Sequence, residues 1–142
     1  AFIFFPFSIV DFFSSNVSFS DENLYRAQSD VIKDFASQSP CVIVGRSADY
    51  VLRNHPCLIS VFIHASEEAC IARILKRGDC KTNEEALEMA EKKNKLRSNY
   101  YNFYTDKKWG DASSYDLCID SSKLPNELVA DIIVGYVKKR IA

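Results

Sequence analysis

Three short apolar runs alternate with longer segments of helical periodicity, and this alternation limits the folds that the chain can adopt. The runs are residues 41–44, 58–63 and 115–120. Each has the length of a strand, and the run at 41–44 is apolar throughout, as expected of a strand buried on both faces. Strands that alternate with helices predict βαβ units with right-handed crossovers and a parallel sheet covered by helices on both faces. The predicted fold class is therefore α/β.

Helix boundaries are signalled by capping residues as well as by periodicity. The predicted helices are residues 21–38, one or two turns within 47–53, residues 67–77, residues 83 to about 104, and a final helix opened by Pro125. Ser66 precedes two acidic residues, which the positive end of a helix dipole favours. Thr82 and Glu85 have the spacing of a capping box.

Length and composition favour one globular domain over residues 1–142. The chain has 47% hydrophobic and 26% charged residues, and its formal net charge is -1. This composition argues against disorder, and the near-neutral charge gives no sign of a nucleic-acid partner. Residues 1–13 hold six of the ten phenylalanines. The segment lacks the basic start of a signal peptide and is shorter than the roughly 20 residues of a membrane span. We expect no membrane partner, and we interpret the segment as a buried connection or as pieces of a longer chain.

The cysteines predict neither a disulfide framework nor a metal site. The five cysteines are scattered without a CxxC pair, and only two histidines accompany them. Such spacing does not match known zinc sites, so no metal-ligating residues are predicted. Free thiols inside apolar runs fit a reducing compartment, and the predicted location is cytoplasmic.

An arginine follows the first apolar run, where ligands of open α/β sheets bind. The planar guanidinium of Arg46 matches a phosphate bidentately, and Asp49 lies one turn further on. We predict that Arg46 binds an anion and that Asp49 orients its guanidinium or accepts a hydrogen bond from a sugar or base. A surface arginine without function is the alternative.

Two basic stripes lie on consecutive predicted helices. Arg73 and Arg77 are four residues apart on one helix, and Lys93, Arg97 and Tyr101 form a similar stripe on the next. A short loop at 78–80 joins the helices, so residues 78 to about 112 could form a lid over a polyphosphate. Phosphoryl transfer needs such cations, because charge spreads over the transferring oxygens. Taken alone, each stripe is more often a solvated helix face.

Other chemistry-bearing residues have weaker support. An aromatic cluster at 100–109 could stack on nucleic-acid bases, but packing of a helix end on the core is the better interpretation. Asp111 and Asp120 are possible Mg²⁺ partners, although acids after strands are common. His55 and His64 have no nucleophile or paired carboxylate at a suggestive spacing, so acid-base hydrolysis has little support.

A phosphate-binding loop is absent from the 142 residues. The pattern Gly-x-x-x-x-Gly-Lys-[Ser/Thr] does not occur, and the sequence has only four glycines. Without those backbone amides and that lysine, the β- and γ-phosphates of a nucleotide have no cradle.

Several ordered strings resemble the cytidylate kinase-like family. They are CVIVGRSADYVL at 41–52, KLRSNYYNFYT at 95–105, WGD at 109–111 and YDLCIDSS at 115–122. The resemblance implies the fold of a P-loop nucleoside monophosphate kinase: a three-layer parallel sheet of P-loop NTPase type, here without its first strand, P-loop and first helix. It also implies ATP- and Mg²⁺-dependent phosphorylation of CMP or dCMP.

The same resemblance assigns roles to the arginines. Arg46, with Asp49 beside it, would hold the acceptor pyrimidine nucleoside monophosphate. Arg73, Arg77 and Arg97 would be catalytic and contact the transferring phosphates. The family usually has an acidic residue at the position of Asn94. Because asparagine carries no charge, this sequence does not support an ion pair within the lid.

Three functional hypotheses follow. In the first, a longer parent protein is the kinase, while the 142 residues alone are inactive and bind neither ATP nor Mg²⁺ tightly. In the second, the chain is a non-enzymatic nucleotide-binding remnant or interaction module. A kinase of another small molecule on the same scaffold is the third.

Overall fold

The computed structural model describes residues 21–142, which belong to two compact units. The first unit ends at Leu58, and the second covers Ile59–Ala142. The phenylalanine-rich segment at 1–13 lies outside the described residues. Among residues 21–142, no helix combines the length and the apolar character needed to cross a bilayer.

In the first unit, two helices pack against each other. Helix α1 covers Asp21–Gln38 and helix α2 covers Ala48–Val51. Both were predicted from the sequence. The side chains of Ile32, Cys41 and Ala48 are buried, so the apolar residues of the two helices and of the connection between them form the local core.

The strand predicted at 41–44 is wrong. Within this run only Val42 occupies a single β-bridge position, and Val44 is 79% exposed. A strand needs a continuous ladder of backbone hydrogen bonds to a neighbouring strand, and a single bridge position does not provide one. The two strands of the described chain pair with each other instead.

The second unit contains a two-stranded parallel sheet among four helical segments. Its elements in chain order are β1 (Val61–His64), α3 (Glu67–Arg77), α4 (Asn83–Tyr104), a short 3₁₀ helix (Ala112–Ser114), β2 (Leu117–Asp120) and α5 (Asn126–Arg140). β1 and β2 pair in register from Val61 opposite Leu117 to His64 opposite Asp120. The chain is therefore α/β and mostly helical; the three-layer P-loop sheet stays a prediction.

Both strands begin two or three residues later than the sequence indicated. The Asp116 carboxylate accepts hydrogen bonds from the backbone N–H and the hydroxyl of Ser60, at 2.8 and 3.0 Å. The Asp116 side chain therefore occupies the backbone N–H of Ser60, which a longer ladder between β1 and β2 would need as a donor. For this reason the apolar runs at 58–63 and 115–120 extend beyond the paired residues.

The ends of α3 and α4 follow the capping signals. The Ser66 hydroxyl accepts from the backbone N–H of Ala69, and Gly78 ends α3 in the left-handed conformation at φ 78°. Thr82 and Glu85 form the predicted capping box. Because these bonds satisfy the free groups at the helix ends, α3 and α4 start and stop where local sequence dictates.

The core of the second unit lies between the sheet and α5. Ile119, Val129 and Ile133 are buried together, and partly buried apolar residues surround them, namely Val61, Leu117, Leu124 and Val137. On the other helices α3 packs against α4. Polar residues follow the carboxyl ends of β1 and β2.

Candidate functional site

Polar groups join the carboxyl ends of β1 and β2. The backbone N–H of Ser121 donates to the His64 carbonyl at 2.8 Å, and the backbone N–H of Ser66 donates to the Ser122 hydroxyl at 2.7 Å. The two strands are parallel, so both end at the same edge of the sheet. This edge is where open α/β folds bind ligands.

Arg73 reaches this edge from the middle of α3. Its Nη1 donates to the Ser121 hydroxyl at 3.1 Å, and its Nη2 donates to the Ser121 carbonyl. Two acceptors of one residue therefore hold the guanidinium. Neither ion pair found among residues 21–142 includes Arg73, so no carboxylate in that part of the chain neutralises it.

Arg77 is directed to a different partner. Its Nη2 lies 2.8 Å from Oδ2 of Asp79, across the glycine that ends α3. The side chains are 61% and 38% exposed, and such a surface pair contributes only about 0–1 kcal/mol. The structure thus does not bring Arg73 and Arg77 to one protein partner, although both lie on α3 as predicted.

Arg97 lies in an exposed turn of α4. Residues 91–97 are all exposed, and Nη1 of Arg97 contacts Oδ1 of Asn94 at 3.5 Å, the limit of a hydrogen bond. Where the family resemblance expects an acid, this asparagine offers only a weak neutral acceptor. The predicted stripe of Lys93, Arg97 and Tyr101 is not exposed along its whole length, since Tyr101 is only 5% exposed.

Arg46 and Asp49 belong to the first unit, around a strained turn. Gly45, Arg46 and Ser47 have consecutive positive φ values of 76°, 56° and 53°. Non-glycine residues in this region cost about 1–3 kcal/mol each and cluster at functional sites. Ser47 is 5% exposed, and its hydroxyl has no hydrogen-bond partner among the described residues. The strain marks this turn independently of any resemblance.

The predicted aromatic cluster at 100–109 divides into two groups. Trp109 meets the ring of Phe62 edge-on at 5.3 Å between centroids, and Tyr115 stacks on Phe62 at 4.9 Å. Tyr101 stacks on Tyr115 at 6.3 Å. These ring contacts connect the end of α4 to β1. They agree with the interpretation that the aromatic residues at the helix end pack on the core. Phe62 and Tyr115 were not predicted to join the aromatic cluster, although both lie in the apolar runs that predicted strands.

The second aromatic group lies on the surface of α4. Tyr100 and Tyr104 are 4.8 Å apart between ring centroids, and Phe103 meets Tyr104 edge-on at 4.9 Å. Phe103 is 79% exposed. These three rings contact one another.

The two aspartates considered for magnesium act as turn caps. The hydroxyl and backbone N–H of Ser113 bind Asp111 and lower the pKa of its carboxyl group. In the same way, Ser122 lowers the pKa of Asp120. Among residues 21–142, no three His, Cys, Asp or Glu side chains are grouped so that they could hold a metal ion. All five cysteines are free thiols.

Comparison with known proteins identifies the family. The cytidylate kinase-like family matches residues 7–123. This chain belongs to that family. The match contains all the strings from which the resemblance was drawn, so the predicted family is confirmed. It supports a kinase-like function without specifying the nucleotide.

A solved structure shares the fold of this cytidylate kinase-like chain. It is an uncharacterized protein from Eubacterium ventriosum ATCC 27560, with 31% sequence identity and a TM-score of 0.79. The match covers 86% of this chain and 69% of that protein. No curated protein matches the sequence.

The matched strings coincide with the polar edge and with the strained turn. Arg46 and Asp49 lie in the first string, Arg97 in the second, and Ser121 in the last. No role was predicted for Ser121. Its position directly after a parallel strand was the available signal, but its contact with Arg73, 48 residues away, could not be read from the sequence. Convergence of Arg46 with the other arginines stays a prediction.

Proposed function

We propose that the chain is the nucleotide-binding part of a kinase whose longer parent transfers the γ-phosphoryl group of ATP to CMP or dCMP. The observation that carries this proposal is Arg73, a guanidinium without a carboxylate partner among residues 21–142, held at the carboxyl edge of a parallel sheet. Membership of the cytidylate kinase-like family supports it. Free thiols support a reducing, cytoplasmic location for the parent.

In this proposal the arginines bind and stabilise phosphates. A phosphate oxygen of CMP attacks the γ-phosphorus of ATP, the bond from that phosphorus to the β,γ-bridging oxygen breaks, and ADP leaves. Arg73, Arg77 and Arg97 contact the attacking phosphate of CMP together with the transferring phosphoryl group, and they stabilise the charge that develops on these oxygens. Arg77 must exchange Asp79 for the phosphate, and this exchange is inexpensive because the pair is exposed.

Arg46 and Asp49 are proposed to hold the acceptor nucleotide. The positive φ of Arg46 costs free energy that the surrounding structure must offset, and residues strained in this way cluster at binding and catalytic sites. The guanidinium would bind the phosphate of CMP bidentately. Asp49 would orient that guanidinium or accept from the sugar or base.

The residues described do not fit a binding site for Mg²⁺ and the phosphates of ATP, the phosphoryl donor. Bound Mg²⁺ would neutralise the phosphates of ATP, but no metal-binding group of acids occurs among residues 21–142. The glycine-rich loop that would cradle those phosphates is also missing from the sequence. We therefore assign no residue of this chain to the metal, and we expect ATP to bind it weakly.

Calorimetric titration of the 142-residue chain tests the proposal. We expect CMP to bind at least about tenfold more tightly than cytidine, since hydrogen bonds to charged groups contribute about 1.5–3 kcal/mol. Equal affinities for CMP and cytidine, or no binding of CMP, would contradict it. A panel of other small-molecule acceptors on the parent protein separates CMP from the alternative substrates.

A second candidate function is nucleotide binding without catalysis. Arg46 and Asp49 in their strained turn support it, because CMP binding needs only the acceptor side. A coupled ADP-release assay on the parent protein distinguishes the two functions. Release of ADP that depends on CMP excludes the remnant, and CMP binding without any ADP release excludes the kinase.

A further inference from the structure

Ser121 connects three elements of the second unit. It follows β2 directly and is only 4% exposed. Its backbone N–H and its hydroxyl both donate to the His64 carbonyl, at 2.8 and 2.9 Å, and it accepts two hydrogen bonds from Arg73. One small buried residue thus joins the ends of β1 and β2 to α3.

The direction of each hydrogen bond in this network is fixed by chemistry. Arginine has no acceptor, so the Ser121 hydroxyl must accept from Nη1 of Arg73. A carbonyl has no donor, so the same hydroxyl must give its proton to His64. The Ser121 carbonyl accepts from Nη2 of Arg73 and from the backbone N–H of Leu124. Each hydrogen bond of Ser121 therefore has only one possible direction.

Two anchors on one residue fix the plane of the guanidinium. A single hydrogen bond would leave it free to rotate, whereas contacts at Nη1 and Nη2 hold it as a fork. The carboxylate of neighbouring Asp120 accepts from Ser122 instead. Three of the five N–H donors of Arg73 are not used by Ser121, and these can bind an anion.

We infer that Ser121 is a positioning residue that fixes Arg73 for binding the phosphates of a nucleotide. This inference rests on the proposed function and deepens it. A pre-oriented arginine does not lose side-chain freedom when the ligand binds, and this freedom otherwise opposes binding. Loss of the Ser121 hydroxyl therefore weakens phosphate binding although Ser121 itself touches no ligand.

A double-mutant cycle on the 142-residue chain tests the inference. Binding of CMP, cytidine and inorganic tripolyphosphate is measured by calorimetry for Ser121→Ala, Arg73→Ala and the double variant. We expect Ser121→Ala to weaken CMP and tripolyphosphate by about fivefold and to leave cytidine unchanged. In the Arg73→Ala background, Ser121→Ala has no further effect, because there is no guanidinium left to position.

Two further variants separate positioning from stability. Ser121→Thr keeps the hydroxyl and restores wild-type affinity. Ser122→Ala is the matched control: it removes a neighbouring hydroxyl that contacts Asp120 and Ser66 but not Arg73, and it leaves affinity unchanged. If Ser121→Ala does not fold, as judged by circular dichroism, Ser121→Cys provides the same cycle with a weak acceptor of similar size.

The outcomes distinguish this inference from the proposed function. Equal loss of affinity from Ser121→Ala with and without Arg73, or no loss at all, overturns the positioning role. The effects of Ser121→Ala and Arg73→Ala can be coupled in tripolyphosphate binding while CMP binds no better than cytidine. This result supports the positioning role and contradicts the proposed substrate. If the wild-type chain binds neither CMP nor tripolyphosphate, both are overturned.

Discussion

The neighbouring helices α3 and α4 present their arginines in opposite ways. Arg73 on α3 is held by two acceptors of Ser121 at the edge of the sheet, whereas the one hydrogen-bond contact of Arg97 within residues 21–142 is with Asn94 at 3.5 Å, in an exposed turn of α4. A fixed arginine can bind a ligand at little entropic cost, while an exposed one must first be ordered. The difference predicts that Arg73 dominates ground-state binding and that Arg97 contributes mainly once a ligand has organised it.

The largest effect on CMP affinity is expected when Arg73 and Arg97 are each replaced by alanine and the two losses are compared. Arg73→Ala should weaken CMP binding by about tenfold or more, because it removes a charge-assisted contact worth about 1.5–3 kcal/mol. Arg97→Ala should weaken it by about threefold at most, as expected of an exposed side chain. Calorimetry measures both, and Arg140→Ala in the last turn of α5 serves as a control for net charge. Equal losses for Arg73→Ala and Arg97→Ala would contradict the comparison.

The anchored end of α4 can be loosened through Gly110. This glycine has φ 78°, and a Cβ there would lie 3.3 Å from the Phe62 ring, against which Trp109 and Tyr115 pack. Gly110→Ala should therefore lower the free energy of unfolding by about 2 kcal/mol.

Gly135 offers the matched control for this experiment. It lies within α5, and a Cβ there meets nothing within 4 Å. Gly135→Ala should raise the free energy of unfolding by about 0.5–1 kcal/mol, since alanine is the better helix former. Denaturant unfolding compares the two variants. A Gly110→Ala protein as stable as the wild type would show that the aromatic group does not hold this loop.

The smallest effect is expected from giving Arg97 a carboxylate partner. Asn94→Asp places an acid three residues before Arg97 on α4, which should raise the free energy of unfolding by about 0.2–0.5 kcal/mol at low salt. It should also remove the small contribution of Arg97 to CMP affinity. Thermal unfolding at low and high salt measures the first effect. A gain that persists in 1 M salt would not come from an ion pair, because exposed charges are screened there.

Local signals predicted the helices well. The capping box of Thr82 and Glu85 and the proline before α5 act within one turn, so the sequence contains all the information they need. Helix α4 accordingly has the predicted limits. The run at 41–44 failed as a strand because apolar character shows only that a segment prefers burial, while a strand also needs hydrogen-bonded neighbours from elsewhere in the chain.

The candidate site was predictable only in part. Helical spacing placed Arg73 and Arg77 on one helix, but their partners decide what each can do. Asp79 is two residues from Arg77, whereas Ser121 is 48 residues from Arg73. Contacts over such separations depend on strand register and helix packing, which periodicity does not specify. The strain at Arg46 was likewise invisible, because a Gly-Arg pair is compatible with many turns.

Nuclear magnetic resonance of the arginine Nε–Hε groups tests the central claim most directly. In the free chain, Arg73 should be ordered and Arg97 mobile on the picosecond-to-nanosecond timescale, and addition of CMP should shift the Arg73 signal in a saturable manner. Equal mobility of the two side chains, together with an Arg73 signal that CMP leaves unchanged, would contradict the account.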